Sequence, residues 1–439
     1  MSTSFSWAFE ALPFFGLLVS IAFFATFFPK KWARDYVKVV GFFIALSLVM
    51  GIVFRGLSST SCMMGSLLFW DYVPFMMLLT SLYVVSGGLK LRLHVHATPL
   101  LNTLTLAFFT LIAGVLGTTG ASMLGIHPLL VMNKHRHFRS HTVVFFIFLV
   151  CNIGGGLSSI GDPPLFLGFL KGVSFFWPTK NLWRPVLFLT ASLLLIYFAL
   201  DSYYFHREPE KVQVPPKRPS MHIEGQKQLI LACLVIMTLV IPSLFSGCAP
   251  FSLKMIEVIK IVLLLLISAC SFKITSLKWR YAHKWTFHPL IEVALIFFGL
   301  FITAHPLIHL LEKGAEGPFQ FLLTHLHQTD GSPSSWAYFW WTGLLSGFLD
   351  NAPTYLVFFK ATGYSAATLM NEASSLLRAI SMGAVFMGAL TYIGNAPNLL
   401  TQTIAEEEYK VKMPSFMVYM VCAFVLLMPL FYITAWLFL

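Results

Sequence analysis

Two aspartates stand where long apolar stretches break: Asp162 in Ser158-Ser159-Ile160-Gly161-Asp162-Pro163-Pro164 and Asp350 in Asp350-Asn351-Ala352-Pro353-Thr354. An ionisable group at membrane depth is expensive and by default marks an ion or substrate pathway. Oxygen-bearing neighbours accompany both. Asn152, Ser158 and Gly161 lie near the first, and Asn351 and Thr354 beside the second. Thr391, Gly394 and Asn395 occur in a third break, Thr391-Tyr392-Ile393-Gly394-Asn395-Ala396-Pro397-Asn398. Thr119 and Ser122 belong to a fourth, Thr119-Gly120-Ala121-Ser122. Carboxylates, amides, hydroxyls and carbonyls freed at glycine-rich breaks form the ligand set of a hard cation. The chemistry implied is binding and release of Na+ or H+ as a transported or coupling ion, with no resident metal or cofactor. The plainer alternative is that each aspartate caps a half-helix N-terminus, where negative charge is stabilised. Glu292 in His288-Pro289-Leu290-Ile291-Glu292-Val293, and Asp71 before Tyr72-Val73-Pro74-Phe75, are further candidates for proton coupling unless they lie at the membrane interface.

The elements that hold these residues must be membrane spans. Of 439 residues, 57% are hydrophobic and 11% charged, against roughly a quarter charged in soluble domains. Such an excess of apolar side chains has to face lipid, and a spanning helix needs roughly 20 residues. Apolar windows run over 11–28, 39–54, 69–89, 101–131, 142–176, 185–205, 228–245, 255–272, 289–311, 336–359, 376–404 and 415–438. Basic residues cluster after four of these windows, at Lys30 to Lys38, Lys90 to His96, Lys134 to Arg139 and Lys273 to Lys284, which assigns those loops to the cytoplasm. The window over 101–131 has basic residues on both sides of one interruption and reads as a hairpin that enters and returns. The expected architecture is all-α, with about ten spans, two re-entrant hairpins and two inverted repeats. Its parts are N-terminal spans over 1–66, a first transport repeat over 67–205, a polar cytoplasmic linker over 206–226, and a second half with the second repeat over 227–439.

The repeat is the informative signal. Residues 158–164 match 391–397 position by position, and Thr119 to Ser122 sit opposite Asn351 to Thr354. A broken helix exposes N–H groups at one half-helix end and C=O groups at the other, near the bilayer midplane. Two such breaks build one site reachable from either side in turn. Four paired breaks argue against isolated packing kinks.

Other classes fit poorly. The net charge of +11 follows from the basic loops and needs no nucleic-acid partner. Lys134-His135-Arg136-His137, with His141 beyond, reads as a solvated cytoplasmic loop and not a metal site, since no carboxylate or cysteine accompanies it in sequence. The six cysteines show no CxxC spacing. A Walker A loop, HExxH and GxSxG are all missing, which argues against ATP-driven transport and against hydrolytic enzymes. The first window lacks a basic leader and reads as a retained span.

These residues resemble the ion transporter superfamily that includes NhaD-type sodium/proton antiporters and citrate or dicarboxylate symporters. The likeness is closest at Asp71 to Phe75, Gly117 to Met123, Gly161 to Pro164, Leu349 to Thr354 and Thr391 to Asn398. It implies a homodimer in a lipid bilayer, expected to be the bacterial inner membrane, with two hairpins meeting two broken helices. Dicarboxylate members carry Ser-Asn-Thr motifs at the hairpin tips, and that signature is not intact here. The leading expectation is therefore sodium/proton antiport by alternating access. The alternative is sodium- or proton-coupled uptake of citrate or a related carboxylate. A passive channel or a non-transporting membrane protein would not need buried titratable groups at paired breaks.

Overall fold

A computed structural model describes residues 2–95, 97–209, 220–244, 253–282, 285–312, 324–328 and 331–439. The middle of the expected linker, most of the outer loop after residue 312, Cys248 and His96 lie outside these residues. The described chain is helical almost throughout. Without water to solvate peptide groups, spanning backbone has to satisfy its own hydrogen bonds. Eight helices among the described residues are long and apolar enough to cross a membrane, and Phe9–Ile21, Lys227–Ile241 and Ser374–Leu390 are shorter apolar helices.

The segment Leu57–Ser86 forms one candidate span. Leu57–Leu67 runs through a widened turn at Leu68–Tyr72 into Val73–Ser86. The expected window over 69–89 therefore starts too late, and the helix passes through the expected boundary at residue 66. Small and hydroxyl residues such as Ser58, Ser59, Thr60 and Ser61 hid its first half, because they lower hydropathy without breaking a helix.

The first hairpin occupies Pro99–Met132. Thr98 caps its start by accepting from the Leu101 N–H at 3.2 Å, with Pro99 at the first helical position. Gly117, at φ 77° and ψ 157°, breaks it into two arms; only glycine occupies that region without strain. The second hairpin is Ser335–Leu349 followed by Asn351–Ala361, capped by Ser334 on the Ala337 N–H at 3.3 Å. Its break falls on Asp350, at φ 73° and ψ 141°.

Each hairpin packs on a broken helix. The first broken helix is Ser140–Leu149, a tight turn at Ile153–Leu157, and Pro163–Leu170. The second is Ser374–Met387, a tight turn at Gly388–Leu390, and Ala396–Thr403. Prolines at the first helical positions restart both second segments. The core centres here, on Phe146, Ile147, Phe148, Phe386 and Met387, all fully buried.

Among the described residues one strand pair interrupts the all-helical pattern. Lys90–His94 pairs antiparallel with Ser220–Glu224. The linker is therefore not a free polar tether: its last residues are laced to the loop that precedes the first hairpin.

Candidate functional site

Asp162 is the N-cap residue of Pro163–Leu170, yet its side chain makes no capping bond. Sequence explains why: Pro163 and Pro164 have no N–H to offer, and the Leu165 N–H is taken by the Asp162 carbonyl at 3.1 Å. The carboxylate is left to distant partners. Oδ1 accepts from Thr118 Oγ1 at 2.8 Å and from Asn395 Nδ2 at 3.1 Å, and Oδ2 accepts from Asn351 Nδ2. Both hairpin tips and the second break thus converge on one buried carboxylate from the first break. Every donor is neutral.

Asp350 behaves differently. Its side chain accepts from the Ala352 N–H at 3.4 Å and so caps the helix that it starts, while Thr354 Oγ1 returns to the Asp350 carbonyl at 2.7 Å. The capping alternative describes Asp350 and fails for Asp162.

The hydroxyls expected to be ion ligands are largely committed to the backbone. Ser158 Oγ donates to the Gly114 carbonyl and Thr391 Oγ1 to the Gly347 carbonyl, each bond spanning 44 residues. Both oxygens also accept from backbone N–H groups, Ser158 from Ile160 at 3.3 Å and Thr391 from Gly394 at 3.1 Å. They pin hairpin to broken helix. Ser122 Oγ donates to the Thr118 carbonyl at 2.6 Å and lies 3.1 Å from the Cys151 thiol. A Cβ on Gly161 would come within 2.2 Å of the Gly155 carbonyl, and one on Gly394 within 2.5 Å of the Gly388 carbonyl. Only glycine lets each break fold back on its tight turn.

Amides do the cross-linking. Asn395 Nδ2 also donates to the Cys151 carbonyl at 2.8 Å. Asn152 Nδ2 donates to the Ile147 carbonyl and to Asn398 Oδ1, both at 2.8 Å. Asn398 Nδ2 closes the second break on the Gly388 and Thr391 carbonyls at 2.9 Å. Two amide oxygens, Asn152 Oδ1 and Asn351 Oδ1, are buried with no hydrogen-bond partner. Orphaned buried acceptors are rare; that of Asn351 belongs to an amide bonded to Asp162, and that of Asn152 lies against Gly388 of the second break.

The expected hairpin register is off by one. Asp162 and Asn395 are 233 residues apart, and the same spacing relates Ser158 to Thr391, Gly114 to Gly347 and Gly117 to Asp350. Thr118, not Thr119, is the counterpart of Asn351, and Thr118 is the one that reaches Asp162. Gly117 and Asp350, the residues of positive φ at the two tips, fix the register and make Thr118 the counterpart. Asn398, the second amide of Thr391 to Asn398, and Cys151 join the site as well.

The two remaining acids lie elsewhere. Asp71 pairs with Lys171 Nζ at 2.6 Å, both about a quarter exposed. Lys171 follows the eight-residue helix begun at Pro163, about 13 to 14 Å along the axis from Asp162. Glu292 accepts from Trp32, whose ring clusters with Tyr36, Leu295, Ile296 and Ile393 of the second break.

An apolar helical bundle with interrupted helices is the architecture of an integral membrane protein, and the family match makes it a transporter. The chain belongs to the family described as "Putative citrate transport", whose profile matches residues 3–439. No curated protein matches the chain.

Proposed function

We propose that the chain exchanges sodium for protons, with Asp162 as the shared carrier group and alternating access to it from the two inverted halves. One observation carries the reading: a buried carboxylate held only by neutral donors, beside an amide oxygen of Asn351 that has no donor of its own. An amide can present nitrogen or oxygen by turning about its last bond. Nitrogen faces the carboxylate when it is empty and anionic. Oxygen faces inward when Na+ sits between them, and also when Asp162 is protonated and becomes a donor. Na+ and H+ then compete for one group, which is the condition for exchange. Glu292, bonded to Trp32, whose cluster includes Ile393 of the second break, is a candidate second proton acceptor.

A second reading, ion-coupled uptake of citrate or a related carboxylate, is favoured by the family's description. It needs donors for an anion, and the half-helix that begins Pro163-Pro164 lacks its first two N–H groups. That weighs for a cation. Purified protein in proteoliposomes separates the two. Sodium-driven dissipation of a pH gradient that is lost in Asp162→Asn supports exchange. Citrate accumulation without sodium-linked proton movement replaces it with symport.

A further inference from the structure

The spacing of 233 residues that relates the two breaks also relates what lies on either side of Asp162, and there the halves differ. Beyond Thr118, on the arm that ends at Met132, Ser122 Oγ lies 3.1 Å from the Cys151 thiol. That thiol lies 3.4 Å from Thr401 Oγ1 and 3.7 Å from the Pro397 carbonyl. Three small polar side chains, all buried, thus meet about one helical turn past Thr118. Their counterparts at the same spacing are Tyr355, Ala384 and Gly168. One aromatic ring stands there in place of the polar set. Tyr355 is buried, and its hydroxyl leaves no room for a Cβ at Gly168. Packing does not demand the polar set, since Ala384 and Gly168 hold two of the equivalent positions with no polar side-chain atom.

The two sets point to opposite faces. The arm holding Ser122 leads into the basic run 134–141, which is not the solvated loop that its sequence suggests. Arg136 is buried on the Asp201 carboxylate at 3.0 Å, and Glu208 accepts from the N–H groups of His137 and Phe138 at 3.0 and 2.9 Å. Ala396–Thr403, which carries Thr401, runs to the same face, where Tyr409 Oη meets His127 Nδ1 of that arm at 3.1 Å. Pro163–Leu170, which carries Gly168, runs the other way. Lys171 beyond its end reaches Asp71, and Asp71 is held away from Lys90 by Val73–Ser86, a helix about 21 Å long.

Charge at the two ends follows the same division. A cation coming from the basic-loop face meets Glu406, Glu407 and Glu408 just past Ala396–Thr403. From the opposite face it meets the closed Asp71–Lys171 pair.

We propose that Ser122, Cys151 and Thr401 line the route by which the cation or proton on Asp162 reaches the basic-loop face, and that Tyr355, seated on Gly168, seals the opposite route. This access pattern rests on the reading of Asp162 as the group reached from both faces in turn. Hydroxyls and a thiol offer a passing cation or proton polar contacts close to the carboxylate. The ring has to swing away before anything passes on its side.

Silver ion tests it, being a cation near Na+ in size that replaces a thiol proton to give Cys–S–Ag and H+. It is added to right-side-out membrane vesicles holding the full chain, and to everted ones, where the charge rule turns the basic loops outward. Unreacted Cys151 is then alkylated in denaturant and measured by peptide mass spectrometry, apart from the five other cysteines. Cys151 should react at least about tenfold faster from the basic-loop face, because a sealed route opens only as a minor conformer. Tyr355→Ala should bring the two rates close together by raising the slower one. If that variant does not fold, Tyr355→Leu, nearer in volume, should narrow the gap. Equal rates from the two faces in wild type, faster reaction from the opposite face, no reaction from either, or a gap unchanged in whichever variant folds overturns the proposal. Labelling needs no ion flux, so sided labelling in a chain that exchanges no sodium for protons would overturn the exchange reading and leave this access pattern standing.

Discussion

Asn395 Nδ2 donates to Asp162 Oδ1 at 3.1 Å, joining equivalent positions of two broken helices 233 residues apart. One repeat carries a carboxylate there and the other an amide. A second carboxylate would face the first across the same gap, and two buried anions at hydrogen-bond distance cannot both stay ionised. The amide avoids that second charge at this position and supplies a donor to the carboxylate.

Neutralising that charge is expected to stop transport while sparing the fold. In Asp162→Asn the side chain keeps its shape and an acceptor oxygen for Thr118, so folding should persist. Flux should fall at least about a hundredfold, the scale of losing a charge-assisted interaction of about 3 kcal/mol. Reconstituted flux and the thermal midpoint, measured together, check both halves.

Asp350→Asn is expected to separate from it. Asparagine caps a helix about as well as aspartate, so stability and flux should stay within a few-fold of wild type. Asp350→Ala should cost about 1 kcal/mol through the lost cap. Loss of flux in Asp350→Asn at unchanged stability would show that this carboxylate does more than cap.

Thr118→Val removes the 2.8 Å donor to Asp162. A hydrogen bond to a charged group is worth about 1.5–3 kcal/mol, so sodium affinity should shift about tenfold or more. Thr119→Val should leave it unchanged. Half-saturating sodium in a flux assay tells the two apart.

Gly117→Ala places a side chain at φ 77°, with its Cβ 3.2 Å from the Ile160 carbonyl. Strain of this kind costs about 1–3 kcal/mol. The thermal midpoint should drop, and flux with it, because the next residue is Thr118.

Acid should release the segment after Phe205. The Glu208 carboxyl titrates below its unfolded value, so its contribution is present above about pH 4.3 and is lost as pH falls through the lower folded value. The acid limb of the stability profile should be shallower in Glu208→Gln, by thermal melts stepped downward from neutral pH.

The class of fold was legible because bilayer thickness and peptide desolvation act on every residue of a span. Asp162 and its partners were legible as interruptions rich in Gly, Pro, Asn and Asp. Register was harder: Gly117 and Asp350 share a backbone conformation but no side-chain chemistry, so matching residue types slid the alignment by one. Arg136 and His141 looked solvated because the carboxylates that bury them, Asp201 and Glu208, lie 65 and 71 residues from Arg136 and His137. Composition carries no record of a contact that distant.

Calorimetric titration of the purified protein with Na+, in buffers of differing ionisation enthalpy, addresses the central claim most directly. Competition at Asp162 predicts about half a proton released per Na+ bound at the pH where the empty carboxyl is half-protonated, rising toward one at lower pH, and neither binding nor release in Asp162→Asn. Sodium binding that releases no proton, or that survives unchanged in Asp162→Asn, would contradict the account.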